Sequence, residues 1–142
     1  MICYGFLQAQ EIRYDFLANA LNDIGTFKKE LLAFGYLNLP EHNYEENGET
    51  IELYIPDTTK EQSHYYYIST ISKTFDLKLR ESALDIKHIL ILEINQSCIR
   101  KDKQTREKEG SLWEEWSCDN DIGIKYKFEN NRSSFYFIKF EK

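Results

Sequence analysis

The sequence predicts an α+β domain: two N-terminal helices packed on one face of a mostly antiparallel sheet of about five to seven strands, ending in a β-hairpin. Three observations carry that expectation. Apolar residues recur at helical spacing between residues 10 and 34. Period-two alternation takes over from residue 51. Glycine and proline are few, six and two in 142 residues, so regular structure with short connections should dominate.

The first nine residues alternate weakly and suit a strand. From Gln10 onward Ile12, Phe16, Ala20 and Ile24 recur every fourth residue with Leu17 and Leu21 beside them, one apolar stripe on a helix of about 15 residues. Gly25 is expected to stop that helix, and Thr26 to cap a shorter one carrying Phe27, Leu31, Leu32 and Phe34 that ends at Gly35. Residues 39–49 are polar, with Pro40, Asn43, Asn47 and Gly48 as turn formers. Ile51, Leu53 and Ile55 alternate with Glu52 and Tyr54, a strand ended by Pro56 and Asp57. Residues 64–71 are aromatic and β-branched and read as a second strand. Phe75, Leu77 and Leu79 alternate with Asp76, Lys78 and Arg80 as a third, although a helix over residues 70–83 competes. Residues 88–94 are apolar on both faces, the pattern of a central strand covered on each side.

Between residues 96 and 110 the pattern collapses into charged and amide side chains, so a mobile loop is expected at about residues 97–110. Beyond the tryptophans, Ile122, Ile124, Tyr126 and Phe128 alternate with Lys125 and Lys127. Asn130 and Asn131 then supply the positive φ of a tight turn, and residues 135–140 return as the second arm of a hairpin. No repeat or linker divides the chain, which reads as one domain over residues 1–142.

Charge is the most informative property of the composition. The formal net charge is −6 with a pI near 5.1. Residues 41–61 hold seven acids against Lys60 alone, and residues 114–121 hold four acids and no base. The remainder is slightly basic, and both acidic stretches carry aromatics: Tyr44 and Tyr54 in the first, Trp113 and Trp116 beside the second. Such a balance disfavours nucleic acid as a partner. No window approaches the ~20 apolar residues of a membrane helix, and the first residues lack the pattern of a secretory signal. Cys3, Cys98 and Cys118 are odd in number and widely spaced, which suits reduced thiols in a cytoplasmic protein.

Catalytic patterns are sparse. His42, His64 and His88 never fall at metal-ligand spacing, and the cysteines form no Cys-x-x-Cys pair, so neither a metal nor a cofactor is expected. Asp119 and Asp121 flank Asn120 without the ligand order of a calcium loop. A cysteine–histidine nucleophile pair is weaker than the reading of the cysteines as small apolar side chains. The expectation is therefore a non-enzymatic acidic inhibitor, similar in kind to an immunity protein, that neutralises a basic partner such as a toxin or a nucleic-acid enzyme by occupying its cationic cleft. The residues expected to carry that contact are Tyr44, Glu45, Glu46, Glu49, Trp113, Glu114, Glu115, Trp116, Asp119 and Asp121. Whether the two acidic stretches share a face decides its strength. The alternative is a small-ligand domain or enzyme with an aromatic pocket near His64, Tyr65, Tyr66, Tyr67 and His88. A third class is a structural subunit that hides its aromatics in a homo-oligomer.

Overall fold

Residues 12–57, 63–101, 105–106 and 112–140 are described by a computed structural model. The strand expected over the first nine residues lies outside them. Helix α1 (Tyr14–Ala20) buries Tyr14, Leu17 and Ala20. It is shorter than the apolar stripe suggests, because Leu21 and Asn22 close the last turn with tighter bonds onto Ala18 and Asn19. Glu93 of helix α3 (Leu84–Ser97) accepts the Tyr14 backbone N–H at 3.0 Å and pairs with Arg13 at 2.5 Å, satisfying an orphan donor of α1 from a distant helix.

Helix α2 (Ile24–Ala33) corrects the expected cap. Asp23 rather than Thr26 is the N-cap: its Oδ1 accepts the Thr26 N–H at 3.1 Å and its Oδ2 the Thr26 hydroxyl at 2.8 Å. Gly25 therefore lies inside α2 instead of ending α1. Gly35 does end the helix as expected, just past the C-cap at φ +96°, a conformation that glycine adopts without a Cβ penalty.

Strands β1 (Tyr36–Asn38), β2 (Tyr44–Glu46), β3 (Glu49–Pro56), β4 (His64–Ser69), β5 (Thr74–Arg80), β6 (Cys98–Arg100), β7 (Thr105–Arg106), β8 (Leu112–Cys118), β9 (Ile122–Glu129) and β10 (Arg132–Lys139) pair throughout in antiparallel fashion. The order is β1-β3-β4-β5-β10-β9-β8-β6, with β2 on β3 and β7 on β8, a larger sheet than expected. The predicted hairpin is β9–β10, with Asn130 and Asn131 at φ 54° and 60°. A second tight turn joins β2 to β3 through Asn47 (φ 53°) and Gly48 (φ 82°).

Three further expectations fail. Residues 88–94 belong to α3, not to a central strand: an apolar run without a period fits either element, and this one continues over 14 residues. Only Leu90 and Ile94 of α3 are buried, while Leu84, Ile89 and Leu92 stay about half exposed. Part of the expected loop forms strands β6 and β7 against β8, so the absence of an apolar period did not mean the absence of backbone pairing. Finally, Cys98 stands opposite Cys118 in the β6–β8 register with Cα atoms 4.3 Å apart, and the two sulfurs are bonded. The reading of these two as reduced thiols is corrected on that juxtaposition. Among the described residues no helix is long and apolar enough to cross a membrane.

All three helices bury their apolar sides against one face of the sheet. Phe27 of α2 meets Tyr66 edge-on at 5.4 Å and Phe75 at 5.1 Å, and Phe75 stacks on Phe137 at 4.8 Å. His64, suggested above as part of a ligand pocket, is buried in this layer between strands β3 and β5. It bonds the Tyr36 hydroxyl and, at 2.9 Å, the Ser63 hydroxyl. Since successive residues of a strand face opposite ways, each residue of this core leaves its neighbours on the opposite face, which carries no α-helix among the described residues.

Candidate functional site

That open face holds a cleft of about 430 Å³. Its floor is set by register. Tyr67 of β4 stands beside Asp76 of β5, which stands beside Tyr136 of β10, which stands beside Lys125 of β9. The next row runs Lys78, Ser134 and Lys127. The β2–β3 hairpin supplies one rim with Tyr44, Glu46 and Glu49, and β8 supplies the other with Trp113. Sheet order therefore separates the charges, with Glu46 and Glu49 on the β2–β3 side and Lys125 and Lys127 on the β9 side.

The polar groups are held in specific ways. Glu49 accepts the Ser69 hydroxyl at 2.7 Å and the Ser72 hydroxyl at 2.8 Å, and these bonds hold its carboxyl below the usual range. Asp76 is the opposite case. Its side chain is 19% exposed, and burial pushes its carboxyl above the usual range although Lys78 and Lys127 pull it down. Lys78 Nζ lies 3.2 Å from Asp76 Oδ2 and donates to Ser134 at 2.8 Å. Asp76 Oδ1 is buried without a hydrogen-bond partner, and so is Trp113 Nε1. Lys127 sits 4.4 Å over the Trp113 ring and 3.1 Å from Glu129, and Lys125 lies 3.9 Å from Glu115. Tyr44 meets Tyr67 edge-on at 5.7 Å, and Tyr136 donates to Thr74 at 3.2 Å.

The residues expected to meet a partner are divided by this fold. Tyr44, Glu46, Glu49 and Trp113 share the cleft, but none of the four acids of residues 114–121 lines it, so the two acidic stretches do not meet there. Glu45 is exposed on β2, between two residues of the rim. Glu115 lies on the open face but is held by Lys101 at 3.4 Å as well as by Lys125. Glu114 alternates to the other face and pairs with Arg100 at 3.0 Å. Trp116 belongs to the core: it is 2% exposed and donates to Asn95 of α3 at 2.9 Å, so it is not available as an anchor. Asp119 and Asp121 lie at the β8–β9 turn, where Asp119 borders Asp15 and Asn19 of α1, away from the cleft.

The alternative aromatic pocket does not assemble. Tyr66 and His64 lie in the core, Tyr65 and Tyr67 face the other way, and His88 is exposed on α3. Among the described residues no cluster of His, Cys, Asp and Glu could hold a metal ion. No binding role was expected from the sequence for Asp76, Lys78, Lys125, Lys127 or Tyr136. The signal for them was the polar half of each alternating strand, which reads as solvated surface until strand order shows those halves converging. Against protein-family models, curated proteins and solved structures, the chain finds no match.

Proposed function

We propose that this chain is a non-catalytic binding protein that neutralises a basic protein partner, and that it docks the partner on the open face of the sheet. The observation that supports this reading is the convergence of Tyr44, Glu46 and Glu49 of the first acidic stretch with the distant Trp113 around one cleft. The lysines of the cleft lie close to carboxylates that are themselves in place: Asp76 for Lys78, Glu115 for Lys125 and Glu129 for Lys127. Glu49 is held ionised by the Ser69 and Ser72 hydroxyls, so its rim favours a positive group. Tyr44 adds a half-exposed ring face beside it, suited to a guanidinium or ammonium. A net charge of −6 steers a basic partner toward the chain from a distance.

The test is calorimetric titration of the purified protein with the basic polypeptide encoded beside its gene, at low and at physiological salt. Binding should weaken with salt and fall about tenfold or more in the double variant E46Q/E49Q, the loss of two charge-assisted contacts. Binding that ignores both salt and these substitutions overturns the proposal.

A further inference from the structure

We infer that Arg80 and Arg132 form an anion site at the end of the open face, one row beyond the cleft, and that its ligand is a phosphate monoester. This goes beyond the docking of a basic partner and does not depend on it.

Register sets the two arginines directly opposite each other, Arg80 on β5 and Arg132 on β10. Arg80 lies two residues past Lys78 and Arg132 two before Ser134, so both belong to the open face. Like charges in that position repel. The other cations of this face are neutralised: Lys78 by Asp76, Lys125 by Glu115 and Lys127 by Glu129. Elsewhere Arg13 pairs with Glu93 and Arg100 with Glu114. Among the described residues no carboxylate pairs with Arg80 or Arg132. Glu129 stands opposite Arg132 in register, yet its carboxylate lies 3.1 Å from Lys127. Both arginines are nevertheless held in place by one ring. The guanidinium carbons of Arg80 and Arg132 lie 5.8 Å and 5.9 Å from the ring centre of the buried Tyr65, and Arg132 donates to the Tyr65 hydroxyl at 3.0 Å. A neutral ring attracts each cation but cancels neither charge. The pair is thus positioned without being neutralised. A carboxylate would offset one of its two charges. A phosphate monoester brings nearly two negative charges and three acceptor oxygens to the two guanidinium forks. Arg80 Nε is buried without a partner, so the contact from Arg80 falls to its Nη atoms. Arg132 is exposed, which leaves the site open to solvent on that side.

A phosphate monoester reaches such a site either as a free small molecule or on the phosphorylated side chain of a protein. The experiment is calorimetry of the whole chain, at fixed ionic strength and about pH 7.5, where such phosphates are dianions. Four probes are used: inorganic phosphate, N-acetyl-phosphoserine amide, dimethyl phosphate and acetate. The tighter of the first two should bind about tenfold or more tightly than dimethyl phosphate or acetate, which carry one charge each. Inorganic phosphate binding at least as tightly as the capped phosphoserine points to a free ligand, and tighter phosphoserine points to a modified side chain; both support the inference. No binding of either, or a singly charged probe binding as tightly, overturns it. R80Q and R132Q should each weaken the better dianion about tenfold. K29Q removes the same charge from an exposed position on α2 and should bind like wild type. R132Q alters an exposed side chain, so it carries the test even where R80Q does not fold. A folded R132Q that binds like wild type, or a K29Q as weak as R132Q, also overturns the inference, the second because net charge would then suffice.

Discussion

On strand β5, Phe75, Leu77 and Leu79 are at most 1% exposed against the helices, while Thr74, Asp76 and Lys78 between them line the cleft. The same division runs through β10, where Phe135 and Phe137 are fully buried and Ser134 and Tyr136 face the other way. The helix-covered face is held together by non-directional burial, where any well-packed apolar set of the right volume would serve. On the open face each polar atom needs a particular partner, and Asp76 Oδ1, Arg80 Nε and Trp113 Nε1 lack one. Stability should therefore reside on one face and binding on the other, and substitutions across the same strands can separate the two.

The largest effect should come from the covered face. Phe137→Ala removes a ring with no solvent exposure that stacks on Phe75, and should cost about 3–5 kcal/mol by urea unfolding. The β6–β8 edge comes next. The Cys98–Cys118 bond closes a separation of 20 residues, so Cys98→Ser with Cys118→Ser should cost about 3 kcal/mol in the absence of reductant. If the double variant matched wild type under those conditions, the bond would contribute nothing to the fold.

A sharper contrast uses two residues three apart on β8. Trp116→Phe loses the bond to Asn95 and part of a buried indole, so unfolding should become easier by about 1–2 kcal/mol. Trp113→Phe should leave stability within about 0.5 kcal/mol and act on binding instead. Equal stability losses would show that β8 does not divide its residues between the two roles.

Much of that division was legible in the sequence at the level of single strands. The alternations at residues 51–55, 75–79 and 122–128 and the Asn130–Asn131 turn specify β3, β5, β9 and the last hairpin, because a period of two and a left-handed turn each have few other solutions. Residues 88–94 misled because uniform apolarity carries no period, and β6 escaped because a three-residue strand of Cys98, Ile99 and Arg100 carries no pattern at all. The cleft was hidden for a different reason. Asp76 and Lys125 line one cleft only because β10 sets β5 beside it on one side and β9 on the other, and non-local strand order leaves no trace in local spacing.

Protonation offers a finer contrast, now within the open face. Burial raises the folded-state pKa of Asp76, so its unfavourable contribution to stability is fully present above that folded value and vanishes below its unfolded value. Asp76→Asn should therefore be more stable than wild type at pH 7, with the gain disappearing at about pH 3. Glu49 has the opposite sign: its folded pKa is lowered by hydroxyl bonds, so its favourable contribution is present above the unfolded value and lost as pH falls through the folded one. Glu49→Gln should be less stable at pH 7, and that loss should also vanish in acid. Urea midpoints at the two pH values check both signs, and a shared sign would mean that the cleft treats its carboxylates alike.

The smallest expected effect tests how narrowly the acidic surface is used. Asp119→Asn with Asp121→Asn removes two of the four acids at residues 114–121, yet neither residue lines the cleft. Asp121 sits at φ 61°, which asparagine tolerates as well as aspartate does, so the turn should keep its shape. Stability should change by less than about 0.5 kcal/mol. Partner affinity should change only by the small, salt-screened loss of long-range attraction, far less than in E46Q/E49Q although both variants lose the same formal charge. Equal losses in the two double variants would make net charge, not the cleft, the basis of recognition.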